Sequence, residues 1–279
     1  MNRMNFMASN GGSTVFSGIR HGRTTSQHGL SLIELMIAIT LGLLVLAAIG
    51  SIYIGSRQTF RLQDDNARLQ ESGRYALEVV GRSIRQAGYW NMPISPVATA
   101  TAFVPLAGGA VITGLDGAAG APDTVTVQYD GLAGDRDCEG NVLAADAVTQ
   151  DAYRLNNSEL QCDGNADGTV DHQALVADIE DIQILYGIDT TGNQSVDQYV
   201  VAPAAGSATW DQVLSARVCV QARSANNVNT APQRFLNCGG VLGTATGAAA
   251  FTTAGAGDLQ LRRTFVATYN LRNRVNLVP

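Results

Sequence analysis

Lysine is missing from this chain: every one of its 18 basic residues is arginine, set against 24 Asp plus Glu. That absence excludes a phosphate-binding P-loop lysine, a Schiff-base lysine and a protein kinase, because each chemistry needs a primary amine at a fixed place. Histidine is nearly as scarce. Of three, His21 and His28 precede the long apolar run, which leaves His172 as the one imidazole beyond it and rules out a histidine-rich metal site. Charged residues make up 15% and aromatics 6%, and neither clusters into an arginine run with interleaved rings. Nucleic-acid binding is therefore not expected, the more so because the net charge is −6.

The charge is unevenly placed. Arg3, Arg20 and Arg23 precede Leu30 and all 24 acids follow it, so the part from Leu30 onward carries 15 arginines and a net charge of −9. With 46% hydrophobic residues in 279, the chain is long enough to bury a core in one or two domains.

Residues 30 to 54 read LSLIELMIAITLGLLVLAAIGSIYI, with Glu34 as the single charge and no proline. As helix, about 25 residues reach about 37 Å, enough to cross a bilayer. The arginines before this run place the N-terminus in the cytoplasm and the rest outside. A cleaved secretory signal would be shorter and would end at a small-residue site, whereas here the run continues into an amphipathic stretch. Leu62, Leu69, Ala76, Val80 and Ile84 recur at sevens and fours as one helical stripe, and Gly88 is a plausible stop. The spacing predicts one helix of roughly 55 to 60 residues, about 85 Å long.

Gly29-Leu30-Ser31-Leu32-Ile33-Glu34 at the head of this run resembles the cleavage and methylation motif of type IV prepilins. The resemblance implies a dedicated peptidase that cuts between Gly29 and Leu30 and methylates the new amine on Leu30. Leu30 stands where phenylalanine is usual, and the leader, residues 1–29, is long. Further along, Arg61 to Gln63, Arg68 to Leu77, Arg85 to Tyr89, Asp178 to Gly187 and Thr264 to Arg274 are similar to the PilW-type minor pilins.

A carboxylate in apolar surroundings costs about 2.5 to 3.5 kcal/mol on insertion scales, so Glu34 needs a partner. The resemblance implies that it pairs with the N-terminal amine of a neighbouring subunit in the filament core. The plainer alternative is a side chain that snorkels to the cytoplasmic face.

Four segments follow: the leader, 1–29; a transmembrane half-helix, 30–55; an amphipathic half, 56–90; and a β-rich periplasmic or extracellular domain, 91–279. Strand signals at Thr124 to Tyr129, Ile182 to Ile188, Val213 to Val220 and Arg263 to Leu271 suffice for one sheet. No second amphipathic helix of crossover length lies between them, so the sheet is expected to be antiparallel. The fold class is α+β, a long helix packed on an antiparallel sheet as in the pilin roll, with the sheet covering the Leu62 to Ile84 stripe. Residues 106 to 121 and 239 to 257 are rich in Gly, Ala and Thr and read as surface loops.

Cys138, Cys162, Cys219 and Cys238 all lie on the outward side of the predicted span, where thiols oxidise. Three pairings exist. Sequential pairing, Cys138 with Cys162 and Cys219 with Cys238, is the expectation, and zinc lacks both a Cys-x-x-Cys and a nearby histidine. Directly after Cys162, the run Asp163, Asn165, Asp167, Thr169 and Asp171 matches the first nine positions of a calcium loop, with Gly168 at the tight turn. Its twelfth place is Ala174 instead of glutamate, so calcium is expected to bind weakly or not at all. Asp189 to Asp197 is a poorer echo.

No nucleophile elbow or carboxylate pair singles out an enzyme. The resemblance implies a minor pilin of a type IV pilus, with no required cofactor. Its implied partners are prepilin peptidase, other minor pilins, the major pilin and the inner-membrane assembly platform. It would sit in the bacterial inner membrane before entering the pilus. Alternatives are a type II secretion pseudopilin and a calcium-dependent tip adhesin.

Overall fold

The computed structural model describes residues 29, 31–90, 106, 110–144 and 147–274. The chain divides into two compact units, residues 1–53 and 54–279. Its first element, α1 (Leu32–Gln86), runs through that boundary. Ser31 opens the helix as a capping box: its hydroxyl accepts the Glu34 N–H at 3.2 Å, and the Glu34 carboxylate accepts the Ser31 N–H at 3.4 Å. In the first unit the apolar side chains of α1 are exposed, Leu32 by 77% and Leu44 by 68%.

In the second unit the helix becomes one-sided. Asp65, Leu69, Gly73, Ala76, Leu77, Val80, Gly81, Ser83 and Ile84 are buried, the three- and four-residue spacing of a single face. Leu62 stays exposed, so the buried stripe begins later than the sequence predicts. The stop comes where expected. Gly88 adopts φ +71° and turns its N–H onto the carbonyl of Gln128 at 2.9 Å.

The strands after α1 are β1 (Ile112–Leu115), β2 (Thr124–Gly131), β3 (Ala147–Asn156), β4 (Glu159–Gly164), β5 (Gln173–Ala177), β6 (Ile179–Ile188), β7 (Gln198–Val200), β8 (Val213–Asn227), β9 (Arg234–Leu236), β10 (Phe251–Thr253) and β11 (Gln260–Asn270). A five-residue helix, α2 (Cys238–Leu242), lies between β9 and β10. All pairings are antiparallel, but they build more than the one expected sheet. A five-stranded meander runs β1-β2-β3-β4-β5, a four-stranded sheet runs β11-β8-β6-β7, and β10 pairs with β9.

Both stretches expected to be surface loops carry regular structure: β1 and a 3-10 turn (Ala118–Gly120) in the first, and parts of α2, a 3-10 turn (Gly247–Ala250) and β10 in the second. Small residues allow the close approach there. A Cβ on Gly240 would come 2.5 Å from the Ala250 carbonyl oxygen.

Two close approaches seat α1 on the four-stranded sheet. A Cβ on Gly73 would come within 2.3 Å of the Phe265 ring, and one on Gly81 within 2.3 Å of Tyr269, whose hydroxyl donates to the Leu77 carbonyl at 2.8 Å. Asn273 adds amide bonds to the carbonyls of Gln86 and Ala87 at the helix end. Across the core, Tyr186 meets Trp210 edge-on at 4.8 Å, both fully buried.

The two large sheets meet at Asp123. Its backbone N–H donates to Ile182 at 2.8 Å, and its buried carboxylate accepts from Gly117 at 2.8 Å and Ile184 at 2.7 Å. Burial pushes this carboxyl from 3.8 up to about 6, against the pull of those two N–H groups, and the charges of Asp116 and Asp181 add to the rise. Between pH 4 and 6 the folded state thus binds a proton that the unfolded chain has lost, so this group's contribution to stability is present below pH 4 and is lost as pH rises through 6. Wild type should outgain Asp123→Asn by about 1 to 2 kcal/mol between pH 7 and pH 4, allowing for solvent screening, in urea titrations at each pH. A constant difference across that range would show that Asp123 is not the titrating group.

Candidate functional site

Three groups of residues merit a functional reading. The first is the head of α1. Gly29, Ser31 and Glu34 are exposed and sit at the start of an apolar helix, with Glu34 bonded within the chain to the N–H of Ser31. Leu30 and the expected leader residues 1–28 lie outside the described residues. The capping box is a second use of Glu34 that the sequence reading passed over, although Ser31-x-x-Glu34 spells it.

The second group is the joint between α1 and the five-stranded sheet. Asp151 on β3 is 2% exposed. One carboxylate oxygen accepts from the Ser83 hydroxyl of α1 at 2.8 Å and from the Tyr129 hydroxyl at 3.2 Å; the other accepts from the Cys138 N–H at 3.0 Å. Tyr153 shares a 2.8 Å hydrogen bond with Ser83. Burial is the largest influence on this carboxyl and raises it above the usual range, while the Ser83, Cys138 and Tyr129 donors pull the other way. Burial also raises the phenols of Tyr129 and Tyr153, each beside that carboxylate.

The four cysteines are bonded in sequential pairs. Cys138 and Cys162 stand 6.2 Å apart at Cα, and Cys219 and Cys238 stand 5.7 Å apart. The first bond brings the 135–143 loop against the 163–172 loop. The second fastens α2 over Leu185 and Cys219 on the outer face of the four-stranded sheet.

The third group is the acidic loop. Its expected calcium ligands are used unequally. One Asp163 oxygen accepts from the N–H of Asp171 at 3.1 Å, and the Asn165 amide is spent on β3, taking the Gln150 N–H at 2.8 Å and donating to the Val148 carbonyl at 3.0 Å. Asp167 accepts from the Thr169 N–H at 2.9 Å, the leading cause that holds its exposed carboxyl below the ordinary range.

What converges instead is Glu139, Asp167 and Asp171, each offering an oxygen within 4.8 Å of the others. Burial pushes the Glu139 carboxyl up, and the charge on Asp171 adds to that. Glu139 was absent from the expected ligand set. Its signal was the adjacency of Cys138-Glu139 and Cys162-Asp163, which only a bond between those two cysteines makes spatial. The poorer echo is internally satisfied: Asp189 accepts from the N–H groups of Thr191, Gly192, Asn193 and Gln194, and Asp197 accepts from Thr190 and Thr191.

Residues 145–273 match the family model described as type IV pilus-assembly protein W, and residues 24–50 match the prokaryotic N-terminal methylation motif. No curated protein matches the chain. Among solved structures it is similar to a type IV-like pilin from Thermus thermophilus, with 15% identity and a TM-score of 0.45, over 75% of this chain and 99% of that one. The methylation motif at the head of α1 and the assembly-protein match across β3 to β11 fall on separate parts of the sequence: the chain carries a prepilin-type N-terminal motif and, over residues 145–273, is similar to the type IV pilus-assembly protein W family.

Proposed function

We propose that this minor pilin of type IV pilus assembly is cut between Gly29 and Leu30, methylated on Leu30, and drawn into the filament by a pairing of Glu34 with the free amine of a neighbouring subunit. One observation carries this reading: the methylation motif over 24–50 precedes an assembly-protein match over 145–273 in the same chain, joined by a helix whose first half is apolar and exposed. Before assembly α1 spans the inner membrane with the N-terminus cytoplasmic, as the basic residues ahead of it favour. Prepilin peptidase, the other minor pilins, the major pilin and the inner-membrane platform are the partners that this route requires. Deleting the gene should abolish or sharply reduce piliation. Loss of exoprotein release with piliation intact would point to a type II secretion pseudopilin instead.

Glu34→Gln separates the two uses of that side chain. Glutamine keeps the capping-box acceptor and removes the charge, so the helix head should persist and cleavage should remain normal. Without its ionic partner the mature subunit should be depleted in sheared pili by about tenfold, the equivalent of about 1.4 kcal/mol. Quantitative mass spectrometry of the sheared fraction, which also detects N-methylated Leu30, is the measurement. Wild-type recovery would leave Glu34 as a cap alone.

We further propose weak calcium binding at Glu139, Asp167 and Asp171, supported by the convergence of their oxygens. Asp163, Asn165 and Thr169 then shape the loop and do not complete a regular cage. A tip adhesin stiffened by calcium is the second reading that this cluster favours. Calcium at 100 times its dissociation constant should stabilise the full chain by about 2.7 kcal/mol, and Asp171→Asn should remove most of that gain. Identical melting curves in millimolar calcium and in chelator would retire the site.

A further inference from the structure

The edges of the two large sheets are guarded unequally. β7 has three residues and β1 four, and the five-residue β5 pairs with a register shift against β4. Short or irregular edges of this kind resist addition of a further strand. β11 is different. It is an eleven-residue edge strand with β8 on one side, and its only register shift lies at its start, between Gln260 and Arg262. From Thr264 to Asn270 it holds no charge, no proline and no bulge.

The direction in which each residue faces follows from two ends of the strand. At its start, Arg262 donates its N–H to the Gln233 side-chain oxygen at 2.7 Å, and its carbonyl accepts from the same amide at 3.1 Å, on the side away from β8. Just past its end, the Leu271 N–H donates to the Leu214 carbonyl, toward β8. Backbone groups alternate sides along an antiparallel strand, so Val266, Thr268 and Asn270 turn both N–H and C=O outward, as Arg262 does. The Gln233 amide thus occupies the first rung of a place that a peptide backbone fits. Beyond it, among the described residues, the rungs at Val266, Thr268 and Asn270 stand open, and all three residues are exposed.

Charge narrows what fits there. Arg263 and Arg272 are exposed and bracket the uncharged stretch, and no acid follows Asp258 in the sequence. Antiparallel pairing of two copies of β11, outward rung to outward rung, would bring the Arg263 end of one strand close to the Arg272 end of the other, like charge near like charge, which opposes self-association. We propose that the open edge of β11 docks an extended segment of a partner pilus subunit, uncharged in its middle and acidic at both ends, by strand addition. The identity of the partner as a pilus subunit rests on the assembly role; the strip itself does not.

The probe is a short synthetic peptide of alternating threonine and valine with two glutamates at each end, added to the full chain in detergent. Amide exchange at Val266, Thr268 and Asn270 should slow by about tenfold or more, with no such change for a peptide ended in lysines. Thr268→Pro removes one outward N–H without touching the β8 ladder, so the fold should persist while peptide protection is lost. Arg263→Glu with Arg272→Glu should exchange the preference, so that the lysine-ended peptide protects. No protection by the glutamate-ended peptide, or equal protection by both, overturns the proposal. Piliation of the deletion strain tests the assembly role separately, so failure of one does not imitate failure of the other.

Discussion

Asp151→Ala should destabilise the globular part by about 3 to 5 kcal/mol, the largest loss expected from any single polar substitution here. The carboxylate receives the hydroxyls of Ser83 and Tyr129 and the N–H of Cys138 in a site sealed from water. Alanine leaves the Tyr129 hydroxyl and the Cys138 N–H without that acceptor, and each orphaned buried donor costs about 1 to 3 kcal/mol. It also leaves a cavity beneath α1. Ser83 suffers less, because Tyr153 still shares its hydroxyl.

Two companions make the result specific. Ser83→Ala should cost less, about 2 kcal/mol, since its bonds to Asp151 and to Tyr153 are lost at about 1 kcal/mol each. Asp151→Asn should fall between them, because an amide offers one accepting oxygen where the carboxylate offers two. Urea titration followed by circular dichroism ranks the three. Equal midpoints for wild type and Asp151→Ala would mean that these hydrogen bonds do not hold the helix to the sheet.

Removal of the Cys219–Cys238 bond, as Cys219→Ala with Cys238→Ala, should cost about 3 kcal/mol by the loop-entropy estimate for its separation of 19 residues. The damage should be local. Cys219 lies in the middle of β8, held on both sides by Val266 of β11 and Gln183 of β6, so the sheet keeps its ladder. The connection from Val228 to Leu259 is tied otherwise by β9 with β10, the Gln233 amide on Arg262, and Arg262 with Glu180 and Asp258. Proteolysis should therefore cut between 238 and 257 first in the variant, while the core from β2 to β8 survives. Nicking in the five-stranded sheet at the same rate would show that the bond supports the whole domain and not this excursion.

Much of the molecule was legible before any coordinates. The apolar run with one carboxylate and no proline can satisfy its backbone only as helix, and the change from all-round to one-sided apolarity marked where α1 begins to pack. β2, β6, β8 and β11 were visible because each carries apolar residues in a run or an alternation that a sheet can bury. β3 was missed for the opposite reason. β3 buries Thr149, Asp151 and Tyr153, so its inward face reads as polar and the period-2 signal is reversed. The Asn157-Ser158 turn between β3 and β4 uses positive φ at both residues without a glycine to announce it.

The local chemistry divides along the same line. Sequence alone determined the methylation motif and the long apolar helix, because each depends on residues close together in the chain or on composition. Tertiary structure decided which carboxylates meet: Glu139 reaches Asp167 and Asp171 through a disulfide, and Asp151 meets Ser83 across 68 residues. It also decided which edge of a sheet is left open. Those are long-range juxtapositions, fixed by the packing of α1 on two sheets and by two covalent bonds, and nothing in the order of residues along the chain specifies them without the fold.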